Sequence, residues 1–260
     1  MYATKLFTNR RPLVAGIALS LGGAAMGGCF EAAEEKVDPT VLSRADYDEV
    51  ATAMGSLVAD QSRGQASAFG SAADLARGVM PADFSLRGDI VFADKSGIQY
   101  GLSAVCTGET GAGVDCGDDA VESHVAVTWA GDWTSGNVSS SAEFDGDWVL
   151  ADLAEEVLVL DGGASSEGVV AVPAGNDKHP WGIAYVAAYD GIGIDAASGQ
   201  PVSGVVRYGL TVERRFGLAT GEEAGEFQVR AQLTFENDGA TLTLDGNKYQ
   251  VAADGSVRRI

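Results

Sequence analysis

Apolar residues recur every three or four positions from Tyr47 through Val50, Met54, Leu57 and Val58, which is the spacing of one helical face. Ser43 precedes them with Asp46 three positions on, a capping-box start, and Asp46, Asp48 and Glu49 fall where the helix dipole favours acids. The pattern predicts a helix of about 18 residues ending near Arg63 and Gly64. A second, shorter helix is expected from Ser67 to about Gly78, interrupted at Gly70 and closed by Pro81.

From Ser85 the period changes to two. Ile98, Tyr100, Leu102, Ala104 and Cys106 alternate with polar or small residues, as do Val125, Val127 and Trp129, and Val206, Tyr208, Leu210 and Val212. Phe227, Val229, Ala231, Leu233 and Phe235 form the clearest strand, with Gln228, Arg230, Gln232, Thr234 and Glu236 on the wet face. Asn237-Asp238-Gly239 and Asp245-Gly246-Asn247 then carry the strongest hairpin signals in the chain, and Asp254-Gly255 adds another turn. Val157-Leu158-Val159-Leu160 reads as a strand buried on both sides. The fold class expected is mainly β: an antiparallel β-meander, closed as a barrel or a sandwich, preceded by one or two N-terminal α-helices. An outer-membrane barrel fits the alternation too, but charged residues on the alternate faces favour a fold in water.

The N-terminus follows another logic. Lys5, Arg10 and Arg11 precede an apolar run over residues 13–26, then Gly27-Gly28-Cys29, with no acid before Glu31. About 14 apolar residues are too few for a helix across a bilayer, which needs roughly 20, so the segment reads as a secretory signal. Met26-Gly27-Gly28-Cys29 resembles the lipobox of bacterial lipoproteins, with Met26 where Leu is usual. Asn9-Arg10-Arg11-Pro12-Leu13 is similar to a twin-arginine export signal, beside the alternative of general secretion. The resemblance to lipoproteins covers residues 1–29 and implies cleavage before Cys29, a lipidated thiol and a membrane anchor. Because Phe30 is not the Asp that retains such proteins at the inner membrane, it implies the outer membrane of the cell envelope. Residues 1–28 are then the signal, 29–40 a lipidated tether, 41–82 a helical segment packed on the β-domain, and 83–260 the β-domain itself.

With Cys29 assigned to lipid, Cys106 and Cys116 remain as a pair flanking a turn-rich stretch of nine residues, and an exported compartment favours their disulfide. Charge narrows the partners. The chain carries 37 Asp and Glu against 17 Lys and Arg, a net −20 that becomes −23 once the signal leaves, and excludes nucleic acid as a partner. The acids are concentrated: residues 96–177 hold 15 of them and no Lys or Arg.

One reading of that stretch is a Ca²⁺ site, with Asp115, Asp118, Asp119, Asp145 and Asp147 as the first candidate ligands, since Ca²⁺ takes six to eight oxygens. The other is an acidic, solvated surface with Asp and Gly in turns, and the missing EF-hand pattern favours it. Local motifs for serine nucleophiles, nucleotides, zinc and redox pairs do not occur. His124, on the wet side of the strand through Val125, Val127 and Trp129, and His179, expected in a loop before Pro180, are the two residues able to act as unperturbed bases near neutral pH, and a triad built on either needs geometry the sequence does not give. Asp132 beside Trp133, and Asp145 and Asp147 beside Trp148, could flank a sugar, or could mark turns leading into core strands. The reading favoured is a membrane-anchored envelope lipoprotein with a non-catalytic binding or structural role and no cofactor. An envelope hydrolase using carboxylates, and a carrier of a small apolar ligand in a β-barrel, are the alternatives.

Overall fold

A computed structural model describes residues 41–59, 63–216, 225–236 and 239–260. The expected signal, Cys29 and the tether therefore lie outside the described residues, as do Asn237 and Asp238 of one expected turn. The described chain is mainly β, 61% strand and 14% helix, with two helices ahead of one antiparallel sheet of 13 strands.

Helix α1, Arg44–Met54, starts as its sequence requires: Ser43 Oγ accepts from the Asp46 backbone N–H, and the Asp46 carboxylate accepts from the Ser43 N–H. It runs on into a π-helical turn, Gly55–Ala59, so the expected long helix divides in two. Helix α2, Gly64–Ala76, starts three residues earlier than expected and passes through Gly70 without a break. The reason is contact. A Cβ at Gly70 would lie 3.2 Å from the backbone of Gly199, so glycine lets this helix seat directly on the turn between two strands.

The sheet is a meander in chain order: β1 (Ser85–Arg87), β2 (Ile90–Lys95), β3 (Ile98–Thr107), β5 (Glu122–Ser135), β6 (Val138–Ala151), β7 (Val157–Ala174), β8 (Asp177–Asp195), β9 (Pro201–Arg214), β10 (Gly225–Glu236), β11 (Gly239–Leu244), β12 (Asn247–Val251) and β13 (Val257–Arg259), with β4 (Gly113–Val114) on the side of β3. Asp245 and Gly246, both at positive φ, make the tight turn that joins β11 to β12. A continuous single sheet is the barrel-like of the two expected closures. In a flat sheet, β6 and β10 would stand about 19 Å apart. Yet the ring of Phe69 on α2 is 5.1 Å from Trp148 on β6 and 6.3 Å from Phe235 on β10, so the sheet curls round the helix. Register shifts at Leu160/Gly162 and between Asp190 and Ile194 bulge the long β7–β8–β9 region and strengthen that curl.

The core lies between the helices and the concave face, where Phe69, Met54, Leu57, Trp129, Trp148, Trp181, Leu158 and Leu160 are fully or almost fully buried. Three local expectations change. The 157–160 strand alternates, with Leu158 and Leu160 inward while Val157 is exposed and Val159 half-buried, because the outer face of this antiparallel sheet meets water. Gly131-Asp132-Trp133 and Gly146-Asp147-Trp148 are strand interiors and not turns. His179, expected in a loop, belongs to β8 and pairs with Val172 of β7.

Candidate functional site

The pleat decides what the acidic stretch can do. Neighbours along a strand point to opposite faces, so Trp133 and Trp148 go inward, 5% and 0% exposed, while Asp132 and Asp147 go outward. An Asp and its adjacent Trp therefore cannot flank one sugar, and the sheet takes the paired-carboxylate arrangement apart. Asp145 and Asp147 stand in a row with Glu143 on the outer face of β6, among Thr128, Ala126, Ser165 and Gly163 of the flanking strands. Asp115, Asp118 and Asp119 lie in the segment between β4 and β5. Among the described residues, no group of three or more His, Cys, Asp or Glu side chains comes together in a way that could hold a metal ion.

The outer face does contain one close carboxyl pair. Glu143 on β6 stands directly opposite Glu167 on β7. Desolvation, then the charge of Glu167 and the hydrogen bond they share, push the Glu143 carboxyl above its ordinary value of 4.5. A shallow depression of about 390 Å³ lies nearby, lined by Asp132, Thr134, Ser139, Ser141, Val169 and Ala171 together with Trp133 and Ser140. Lys178 donates to the Ser139 hydroxyl at 2.7 Å.

Cys106 and Cys116 are joined, their Cα atoms 5.2 Å apart, and β4 folds back so that Val114 pairs with Cys106. His124 is exposed beside Glu122, 3.5 Å away. His179 is held: its Nδ1 lies 3.0 Å from the Glu49 carboxylate of α1, which also accepts from Trp181 Nε1 at 2.9 Å, and its ring stacks on Phe216. Among the described residues, the polar partners of the two histidines are the carboxylates Glu122 and Glu49 and not a Ser hydroxyl.

Glu49 is one of three acids by which α1 is bound to the sheet. Asp46 forms a buried ion pair with Arg214 of β9. Asp48 accepts from Arg259 of β13 and Tyr249 of β12, both at 2.9 Å. Tyr47 adds a hydrogen bond to Asp245 at 3.0 Å. Helix α1 is thus tied to the sheet through its own acids and Tyr47.

Under α2 the sheet is different. Gln65, fully buried, accepts from the Tyr185 hydroxyl at 3.1 Å and donates to that of Tyr208 at 3.2 Å. Ser67 meets Tyr100 at 3.0 Å. Phe69 touches Trp148 and, edge-on at 6.0 Å, Tyr189. Trp129, Trp133, Phe144 and Trp148 continue the aromatic floor ring by ring across β5 and β6. Burial pushes the hydroxyls of Tyr185, Tyr189 and Tyr208 well above the ordinary tyrosine range, so all three stay protonated. The indole N–H groups of Trp129 and Trp133 find no acceptor among the described residues, whereas that of Trp148 is directed at the Tyr189 hydroxyl. The alternation in β8 places Tyr185 and Tyr189 inward from sequence alone, but nothing in it marks Gln65 of a distant helix as their partner.

Comparison with family models, with curated proteins and with solved structures yields no match to this chain.

Proposed function

We propose that the protein is a membrane-anchored lipoprotein of the cell envelope, held through lipid on Cys29 in the outer membrane rather than the inner, with a non-catalytic binding or structural role. Its N-terminal order of basic residues, apolar run and Gly27-Gly28-Cys29 supports the anchor. The Cys106–Cys116 pair agrees with an oxidising compartment. One observation carries the non-catalytic part: the concave face, where a curled sheet would house a cleft, is filled by the chain's own Gln65 and Phe69, while the abundant carboxylates of residues 96–177 stand along strands and turns outside it.

Several acyl chains on one Cys give a stable attachment, since each buried methylene contributes about 0.8 kcal/mol and one chain alone is marginal. Mass spectrometry of the protein extracted from membranes tests the anchor. The expected result is an N-terminal Cys29 carrying the mass of its acyl groups, and a Cys29→Ser variant recovered in the aqueous fraction. An unmodified Cys29 would refute it.

A further inference from the structure

The outer face of the sheet has two unlike sides. Cross-strand register sets three rows of outward residues next to one another over β6 to β10. On one flank β6 contributes Glu143, Asp145 and Asp147, all acidic and all exposed. On the other flank, in the same rows, β10 contributes Gln228, Arg230 and Gln232, all exposed and all hydrogen-bond donors. Between them β8 presents Ala184, Val186 and Ala188, and Val186, at 68% exposure, is the most exposed large apolar side chain among the described residues.

The middle row is balanced about Val186. Asp145 lies two strands to one side, past Ser165, and Arg230 lies two strands to the other, past Gly209. Ser165 and Gly209 are small and leave Val186 standing clear. The Asp145 carboxylate and the Arg230 guanidinium complete no ion pair among the described residues.

We propose that a second copy of the chain docks on this face, turned about a two-fold axis that runs parallel to β8 over Val186. Such an axis exchanges the flanks: Val186 meets the partner's Val186, Asp145 meets the partner's Arg230, and Arg230 meets the partner's Asp145. An axis across the strands would set the β6 acids of both copies against one another, so charge selects the first. Because the sheet curls round α2, its outer face is convex and the gap between two copies widens away from Val186. The small residues lie where the copies are closest, and the long side chains of β10 stand where the gap has to be bridged. Turning about the strand direction also keeps α1, fastened to Arg214 at the end of β9, at the same end in both copies, as two molecules held in one membrane require. The pairing itself does not rest on the anchor. A face five strands wide is small for a specific interface, and the net negative charge of the chain opposes association, so the dimer is weak, with Kd in the micromolar range.

Sedimentation velocity of the full-length protein carrying Cys29→Ser, which removes the lipid and any disulfide between copies, tests the pairing at about 0.15 M salt, where long-range repulsion is screened. The weight-average mass should rise from monomer towards dimer between about 1 and about 500 µM, and no further. Val186→Asp should hold the protein at monomer. Asp145→Arg and Arg230→Glu should each weaken association tenfold or more, and an equimolar mixture of these two variants should dimerise as the parent does, because each supplies the charge that the other lacks. All three positions are exposed, and unchanged thermal unfolding of each variant establishes that it is folded. A parent that stays monomeric throughout, growth beyond the dimer, a Val186→Asp protein that associates as before, or a mixture no tighter than its components would each overturn the pairing. Neither this result nor the mass measurement at Cys29 decides the other.

Discussion

At the residue scale, Asp46 serves two purposes at once. It caps α1 through the Ser43 N–H and neutralises Arg214 inside the protein. Removing one member of a buried ion pair leaves the other charged and unpaired, which costs about 3–5 kcal/mol. Asp46→Ala is therefore expected to lower unfolding free energy by that amount in urea titrations, and adding Arg214→Met should recover much of the loss, because the guanidinium that remains uncompensated is then gone. Glu143 makes a prediction of opposite sign. Its raised pKa means that the folded state holds this proton more tightly than the unfolded chain, so its contribution falls as pH rises from 4.5 through the raised value. Both carboxyls are exposed on the sheet and screened by water, so the effect is under about 1 kcal/mol. Glu143→Gln should flatten that part of the stability profile and leave the protein slightly more stable at neutral pH, measured by thermal unfolding across pH 4 to 7.

At the scale of elements, the Cys106–Cys116 bond holds β4 against β3 across a short loop, and such a closure is worth about 2–3 kcal/mol in the unfolded-chain account. A Cys106→Ser, Cys116→Ser double variant should lose that much in urea, with its earliest hydrogen exchange in residues 107–121 and not in β7 or β8. The elements differ in how far the sequence announces them. The Ser43/Asp46 cap and the strict alternation of β10 are written in adjacent residues, and both are found as read. Gly70 misleads, because its reason for being glycine is the backbone of Gly199, 129 positions away, and no local pattern carries that distance. The same holds for the aromatic floor. Strand parity gives the inward side of Trp148 and Tyr189, while their neighbour Phe69 depends on how tightly the sheet curls. The Asp-Trp pairs look like a site on paper only because adjacency in sequence was taken for adjacency in space. In a strand, adjacency means opposite faces.

At the scale of the whole molecule, charge is distributed as unevenly as the sequence indicates, and the strands explain why the fold tolerates it. Asp132, Glu143, Asp145, Asp147 and Glu167 share the outer face of three consecutive strands with small residues, so the carboxylates keep their water. Their mutual repulsion is then a screened surface effect, with a range of about 30 Å at 0.01 M salt and about 8 Å at 0.15 M. Raising sodium chloride across that interval should raise the melting temperature of the wild-type protein, and raise it less for a variant in which Glu143, Asp145 and Asp147 are replaced by Gln, Asn and Asn. An identical salt response in the two proteins would show that the repulsion lies elsewhere.

The polar ties of α1 carry a consequence for how the chain is made. Almost every strand pairs with its neighbour in sequence, so hairpins can assemble one after another as the polypeptide emerges. The helix is the exception: Asp46 waits 168 residues for Arg214, and Asp48 waits 211 for Arg259 of β13, the final strand of the sheet. What emerges first is secured last. Deleting β13 would leave most of the sheet's ladder intact yet deprive α1 of its last fastening, so a newly made domain reaches its finished form only once β13 has been delivered.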